Sequence, residues 1–295
     1  MAALRHETVS FLSDYGHQDE FVGIVHSILH ATAPGVRVID ITHEIPAHDV
    51  RAGGLALARS AQYLCPGVVL AVVDPGVGTS RRGIAIEVGG GQSVLVGPDN
   101  GVLAPAVAMV GGATRAVSLT NTDYHLPSPG PTFDGRDVFA PVAAAICNGV
   151  ELGELGEEVD PNGLVPGIIP VAREEDGGLV ADVLWVDRFG NCQLNVDPDD
   201  LDGWGDRIRL RIAGEPRVAR RVGAYAEIGS GEVGLVVDSY GLIAVALDRR
   251  SAFGELGLGP GQQLTLERLD DDGAERATGV TIQVDIGPRR DGAQP

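Results

Sequence analysis

Apolar positions in the first half of the chain alternate between two rhythms. Residues 8–13 form a short apolar-rich run that ends in the polar turn Asp14-Tyr15-Gly16, which predicts a strand and its exit. Residues 21–31 then place Val22, Val25, Ile28 and Leu29 at helical spacing, and Pro34-Gly35 stops that helix. Residues 36–41 read as a second strand. Residues 49–65 read as a second helix, with Val50, Leu55, Leu57 and Ala61 for its buried face. Residues 68–73 are continuously apolar and end at Asp74-Pro75-Gly76. Further strands are predicted at 84–88, 93–96 and 116–119, and a third helix at 138–148. Strands alternating with helices indicate an α/β layered domain with a largely parallel central sheet. In such sheets, reacting groups sit just beyond the carboxyl ends of strands. Asp14 and Asp74 both take that position.

The pattern changes after the polar, Gly-ending run at 173–178, which reads as a linker. Beyond it helical spacing nearly vanishes. Short strands are predicted at 179–186, 207–212, 232–237, 242–247 and 263–266, which fit a small all-β barrel or sandwich. The expected division is therefore an α/β domain over residues 1–173, a β-barrel domain over 179–268, and a charged tail of uncertain order over 269–295, in which 281–286 could add a strand.

Composition narrows the chemistry. The chain has 295 residues, 44% of them hydrophobic, enough for two cores. A formal charge of -19 opposes binding to nucleic acid and to anionic membranes. No apolar run approaches the length of a membrane span, and residues 1–10 lack a signal-peptide pattern. Cys65, Cys147 and Cys192 are odd in number and widely spaced. They read as buried thiols in a reducing cytosol. All 22 Lys+Arg residues are arginine, which removes Schiff-base chemistry and the P-loop lysine.

Several tempting motifs fail. His43-Glu44 with His48 has the wrong histidine spacing for a zinc helix and holds Pro46 between them. Gly76, Gly78 and Gly83 do not make a dinucleotide fingerprint, and no Gly-x-Ser-x-Gly elbow exists. No metal site and no cofactor are expected. Other segments have chemistry within reach. Asp14 either caps a turn or accepts hydrogen bonds from a ribose diol. In the segment from Val72 to Arg82, Asp74 and Arg81 form either a structural ion pair or a carboxylate kept ionised beside a reacting centre. In Thr132-Phe133-Asp134-Gly135-Arg136-Asp137, Asp137 is a helix-cap candidate, and Arg136 could pair with it or with Asp134. Asp187-Arg188-Phe189-Gly190-Asn191 offers an acid, an aromatic face and an amide at a strand end.

Taken in order, Ser13-Asp14-Tyr15-Gly16, Asp74 to Arg82, Gly97-Pro98-Asp99-Asn100-Gly101, Thr132 to Pro141, Asp187 to Asn191 and Ser239-Tyr240-Gly241 resemble the S-adenosylmethionine hydroxide adenosyltransferase family, hydrolytic relatives of fluorinase and chlorinase. The resemblance covers about residues 8–268. It implies an α/β domain with a C-terminal β-barrel, and a homotrimer acting on S-adenosyl-L-methionine with water as nucleophile. It implies Asp74 and Arg81 as catalytic residues and Asp14 on the ribose hydroxyls. Asp187 and Ser239 would hold the methionine end, and Phe189, Asn191 and Tyr225 would surround the adenine. Asn100, Thr132, Phe133 and Gly135 belong to the matched substrate-binding motifs. The family's third catalytic residue is a His in Thr-Phe-His-Gly-Arg-Asp. This chain has Asp134 there, with His125 the nearest histidine in sequence. Halogenating relatives carry an aromatic residue where Asp74 stands. The alternatives are a halogenase or a non-catalytic S-adenosylmethionine or nucleoside binder.

Overall fold

The computed structural model describes residues 4–269. They divide into two compact units, the first ending at Val171 and the second beginning at Ala172. The predicted strand at 281–286 lies outside the described residues.

The first unit is built on a seven-stranded mixed sheet. Its strands are β1 (Thr8–Ser13), β2 (Arg37–Thr42), β3 (Val68–Val72), β4 (Gly83–Val88), β5 (Ser93–Pro98), β6 (Ala113–Ser118) and β7 (Glu157–Val159), in the spatial order β2-β1-β3-β5-β4-β6-β7. The run β2-β1-β3-β5 is parallel. The sheet then turns antiparallel through β4, β6 and β7. Every residue of the apolar-rich β1 and the continuously apolar β3 is buried, as in a sheet covered on both faces.

Helix α1 (Phe21–Thr32) packs Val22, Val25 and Leu29 into the core. It packs beside α4 (Ala140–Cys147), all of whose residues are buried. Helix α2 (Val50–Ala61) starts at Asp49, whose side chain accepts from the Ala52 amide at 2.9 Å. It packs with the short α3 (Ala104–Met109), which periodicity did not show. Gly53 lets α2 approach closely: a Cβ there would meet Val73 Cγ2 at 2.8 Å. That contact seats α2 on the segment leading from β3 to Asp74.

The third predicted helix begins differently from expectation. Gly135–Phe139 is a single π-helical turn that runs into α4. Asp137 is therefore inside the turn rather than capping a helix, and its buried carboxylate accepts from Arg136 Nε at 2.6 Å and Nη2 at 2.9 Å. Such turns re-aim side chains, often at functional sites.

The second unit is the expected barrel. It comprises β8 (Arg173–Glu175), β9 (Gly178–Val186), β10 (Cys192–Leu194), β11 (Arg207–Ile212), β12 (Glu215–Val222), β13 (Val233–Val237), β14 (Ile243–Leu247) and β15 (Gln263–Arg268). The order β10-β14-β13-β12-β11-β15-β9 closes through a β10–β9 pairing, with β8 added outside β9. Closure removes free edges. The run at 173–178, expected as a linker, is instead β8 and its turn into β9. Leu179, Val183, Leu194, Ile208, Leu235, Val245 and Leu266 fill the barrel core. Among the described residues no helix is long and apolar enough to cross a membrane.

Candidate active site

Parallel pairing of β1 with β3 sets Ser13 opposite Val72. The chain leaving each strand then carries Asp14 and Asp74 over the same edge of the sheet. Asp14 accepts through Oδ2 from the His48 amide at 2.9 Å, and His48 itself adopts φ 68°. The loop from Asp74 to Arg82 folds on local hydrogen bonds. The Val77 amide donates to the Asp74 carbonyl at 3.2 Å, and Thr79 Oγ1 donates to the Gly76 carbonyl at 2.6 Å. This return brings Arg81 back over Asp74, seven residues earlier in sequence.

Arg81 stands between two carboxylates. Its Nε donates to Asp74 Oδ1 at 3.1 Å, its Nη2 makes a second, short bond to Asp74 Oδ2, and Nη2 also donates to Asp134 Oδ2 at 2.6 Å. The side chains are 5% exposed for Asp74, 10% for Arg81 and 22% for Asp134. The guanidinium also lies over the Phe139 ring, 5.4 Å from its centroid. Asp134 thus pairs with Arg81, while Arg136 pairs with Asp137. Burial raises the Asp74 carboxyl above the usual carboxylate range; Arg81 pulls it back down, and Asp134 pushes it up.

The two carboxylates held by Arg81 face a hollow of about 210 Å³ lined by Asp14, Tyr15, Phe21, Asp74, Thr132, Phe133, Asp134 and Gly135, with His48 at its side. Tyr15, Phe21 and Phe133 meet edge to face or tilted, with ring centroids 5.6 Å (Tyr15–Phe133), 5.5 Å (Tyr15–Phe21) and 4.9 Å (Phe21–Phe133) apart. Gly135 is required by Tyr15: a Cβ there would come within 2.1 Å of the phenol oxygen. Burial, and then the Asp14, Asp74 and Asp134 carboxylates, push the Tyr15 phenol far up, so it stays protonated. Aromatic faces beside carboxylates suit a cationic ligand.

The structure brings Asp14, Asp74, Arg81, Thr132, Phe133, Asp134 and Gly135 together. Asn100 is placed differently. Its Nδ2 donates to the Val73 carbonyl at 2.8 Å and its Oδ1 accepts from the Val102 amide at 3.2 Å. The amide nitrogen braces the residue before Asp74 while the amide oxygen holds the turn to Val102, and Asn100 is not in the lining of the hollow. His125 feels the Asp134 carboxylate, yet burial lowers its pKa, and its buried Nε2 has no hydrogen-bond partner. Sequence reasoning gave no role to Tyr15, Phe21 or His48. Tyr15 stood inside a quoted motif, and its aromatic character beside Asp14 was the available signal.

Asp187, Phe189, Asn191 and Tyr225 line a separate hollow of about 660 Å³ in the second unit. Asp187 Oδ1 accepts from the Phe189 and Asn191 amides, both at 2.9 Å, and Oδ2 accepts from Asn191 Nδ2 at 2.8 Å. The carboxylate therefore shapes the turn that presents Phe189, which is 72% exposed. Ser239 is exposed in the turn between β13 and β14. Asp238 stabilises that turn by accepting from the Tyr240 amide at 2.8 Å and the Leu242 amide at 3.2 Å.

A second cluster escaped the spacing rules. His26 on α1, Asp40 on β2 and His43 just after β2 offer three ligand atoms within 4.8 Å of one another. The rejected pairing of His43 with His48 missed it because the partners come from two other elements.

Residues 9–156 match the SAM hydroxide adenosyltransferase N-terminal domain, and residues 181–265 match the corresponding C-terminal domain. An (R)-S-adenosyl-L-methionine hydrolase of Salinispora tropica is 44% identical over 87% of this chain and 96% of its own length. A protein of the same name from Thermus thermophilus is 37% identical over 88% of this chain and 98% of its own. A fluorinase of Actinoplanes sp. is more distant, 25% identical over 83% of this chain and 92% of its own. The crystal structure of an uncharacterized conserved protein from Thermotoga maritima superposes with a TM-score of 0.81 at 30% identity, covering 88% of this chain and 100% of that one. The chain belongs to the SAM hydroxide adenosyltransferase family.

Proposed function

We propose that the protein hydrolyses (R)-S-adenosyl-L-methionine to adenosine and L-methionine. The observation that carries this is the Asp74–Arg81–Asp134 arrangement at the end of β3, in a hollow that also holds Asp14 and three aromatic rings. Water attacks ribose C5′ on the side opposite sulfur. The C5′–S bond breaks with its electron pair going to sulfur, which leaves as the neutral thioether of methionine. Asp74 accepts the proton of the attacking water as the C5′–O bond forms. A sulfonium leaves without protonation, so aiming the water is the main task, and positioning of this kind contributes roughly 7–11 kcal/mol in good cases. Arg81 keeps Asp74 ionised and fixed, and Asp134 holds Arg81 from the other side.

Asp14 binds the ribose diol, and the rings of Tyr15, Phe21 and Phe133 face the sulfonium. The hollow of about 210 Å³ is smaller than the roughly 300–1,000 Å³ of ordinary ligand sites. It suits part of the substrate. The remainder fits the second-unit hollow of a neighbouring copy in a homotrimer, where Phe189, Asn191 and Tyr225 receive the adenine, and Asp187 and Ser239 receive the methionine end. The exposed rings of Phe189 and Tyr225 support a partner there. The chemistry needs no cofactor. Free cysteines Cys65, Cys147 and Cys192 support a cytoplasmic setting.

The test is incubation of the purified protein with S-adenosyl-L-methionine in oxygen-18 water. Adenosine labelled at its 5′ oxygen, with methionine in equal amount, is expected. Unlabelled adenosine, or a 5′-chloro nucleoside in chloride buffer, overturns the reading, and so does tight binding without turnover.

A further inference from the structure

We infer that His26, Asp40 and His43 form a binding site for one divalent transition-metal ion of the zinc type. His26 projects from α1, Asp40 from β2, and His43 follows β2, so three elements of chain converge on one point. His26 Nε2 lies 2.8 Å and His43 Nε2 lies 3.1 Å from the same oxygen, Asp40 Oδ1. All three ligand atoms fall within 4.8 Å. Zinc bonds of 2.0–2.2 Å in tetrahedral arrangement separate neighbouring ligands by about 3.3 Å. The cluster thus reaches metal geometry by opening its two short edges by about 0.2–0.5 Å and closing the edge between the ring nitrogens, at most 4.8 Å, by up to about 1.5 Å.

His43 is the second observation. Its side chain is fully buried, and its Nε2 makes no hydrogen bond of acceptable geometry although it faces Asp40. A buried ring nitrogen whose nearest partner is poorly aligned for a hydrogen bond stands to gain from a metal. Its other nitrogen, Nδ1, sits 2.8 Å from Ser13 Oγ, and its ring stacks edge-on to Phe11 at 4.6 Å. This is the outer support that metal-bound histidines use to fix ring orientation. Two histidines and a carboxylate are a donor set that zinc and its neighbours prefer, and hard ions such as magnesium do not. The His17 ring lies beside the cluster, 5.3 Å from that of His43.

The cluster is separate from the Asp74–Arg81–Asp134 centre, so the ion has no part in the hydrolysis itself. It does bear on the same strand end. Ser13 precedes Asp14, and the Gly16 amide donates to the His43 carbonyl at 2.8 Å. Occupancy ties α1, β2 and the Asp14 turn together.

The experiment uses the full-length protein with any purification tag removed and stripped by a chelator. Cobalt(II) is titrated while visible absorption is followed, then zinc is added. Saturation at one cobalt per chain, with the intense bands of a tetrahedral site that zinc abolishes, is expected, together with a zinc-dependent rise in Tm. His26→Gln and Asp40→Asn change half-exposed groups, so both variants should fold and retain turnover, yet bind cobalt ~100-fold or more weakly. His30→Gln, on the exposed side of α1, should bind as wild type. Absence of saturable binding, wild-type affinity in His26→Gln and Asp40→Asn, or equal loss in His30→Gln overturns the assignment and leaves a hydrogen-bonded triad.

Discussion

Replacing Arg81 by Ala removes the only cation in contact with Asp74 and Asp134 among the described residues, and leaves two carboxylates sharing one buried place. Two routes give the cost. Breaking a buried ion pair by deleting one partner costs about 3–5 kcal/mol. The ceiling is protonation of one carboxyl, which at pH 7 costs about 4 kcal/mol for an ordinary carboxyl pKa near 3.9, at 1.36 kcal/mol per unit. The two agree on about 4 kcal/mol at pH 7. Another 1 kcal/mol or so, independent of pH, goes with the guanidinium's contact on Phe139. At pH 5 the protonation ceiling falls to about 1.5 kcal/mol. The sign follows from the raised Asp74 pKa. A carboxyl with folded pKa above its unfolded value contributes most stability below the unfolded pKa, and loses it as pH rises through the folded pKa. Loss of Arg81 raises that folded pKa further, so the deficit against wild type grows between the two folded pKa values. Urea denaturation at several pH values measures it directly. Tm should fall by roughly 10 °C at neutral pH, at about 2–4 °C per kcal/mol for a chain of this size, and the gap should narrow on acidification. Asp74→Asn in the Arg81→Ala background should recover much of the loss. A deficit that is flat with pH, or below about 1 kcal/mol at pH 7, refutes the coupling of the two carboxylates through Arg81.

Asp74→Asn should lose most turnover while still binding substrate, and Asp74→Asn/Arg81→Ala should be little slower than either single variant, because residues acting as a unit are non-additive; single-turnover kinetics with a binding measurement decide this. The acid limb of kcat/KM should sit above the range of a free carboxylate, since activity needs ionised Asp74 and burial raises its pKa; a limb at or below the free value would count against Asp74 as the base. Asp134→His should retain activity and move the pH profile toward the imidazole range near 6.5, whereas an unchanged profile and rate place Asp134 outside the chemistry. Turnover should survive exhaustive chelation even where Tm falls, and sedimentation should show trimers at assay concentration; restoration by added metal after loss, or an active monomer, would contradict the respective reading.

Where a strand is buried on both faces, its sequence is legible. β3 is an unbroken apolar run and β1 is apolar-rich, with buried Thr8, Ser10 and Ser13 among Val9, Phe11 and Leu12, and the acids that follow them were placed correctly because a strand's end is also a sheet's edge. The pairing of Asp74 with Arg81 was readable too, since seven residues rich in Gly and Pro must turn back on themselves. Asp134 was open from sequence. Its choice of Arg81 over Arg136 depends on the π-helical turn, a backbone feature that no periodicity encodes. Asn100 was given to substrate because a motif names residues without saying where their hydrogen bonds go; the fold commits both its amide groups to Val73 and Val102. β12 escaped because Arg217, Arg220 and Arg221 interrupt the alternation and only Ala219 is buried, so the strand is held by its ladder with β11 and β13. β10 has three residues, too few for any rhythm. The His26–Asp40–His43 cluster was invisible because its members meet only when β2 folds against α1.

On the proposed assignment of Asp74 as the base, the charge of the site separates water from halide as nucleophile. Asp74, Asp134 and Arg81 sum to one net negative charge when all are ionised, and Asp14 adds another at the rim. A neutral water beside Asp74 gains a hydrogen-bond acceptor at no electrostatic cost. A halide about 4 Å from the same carboxylate meets a repulsion of about 4 kcal/mol at an effective dielectric of 20, close to a thousandfold in occupancy. Arg81 offsets one carboxylate, so the figure of about 4 kcal/mol is that for the single net negative charge left by Asp74, Asp134 and Arg81 together. The sulfonium of the substrate gains from the same negative field. One arrangement therefore attracts the cationic electrophile, accepts water and rejects an anionic competitor. An aromatic residue in place of Asp74 would remove the base and the repulsion together.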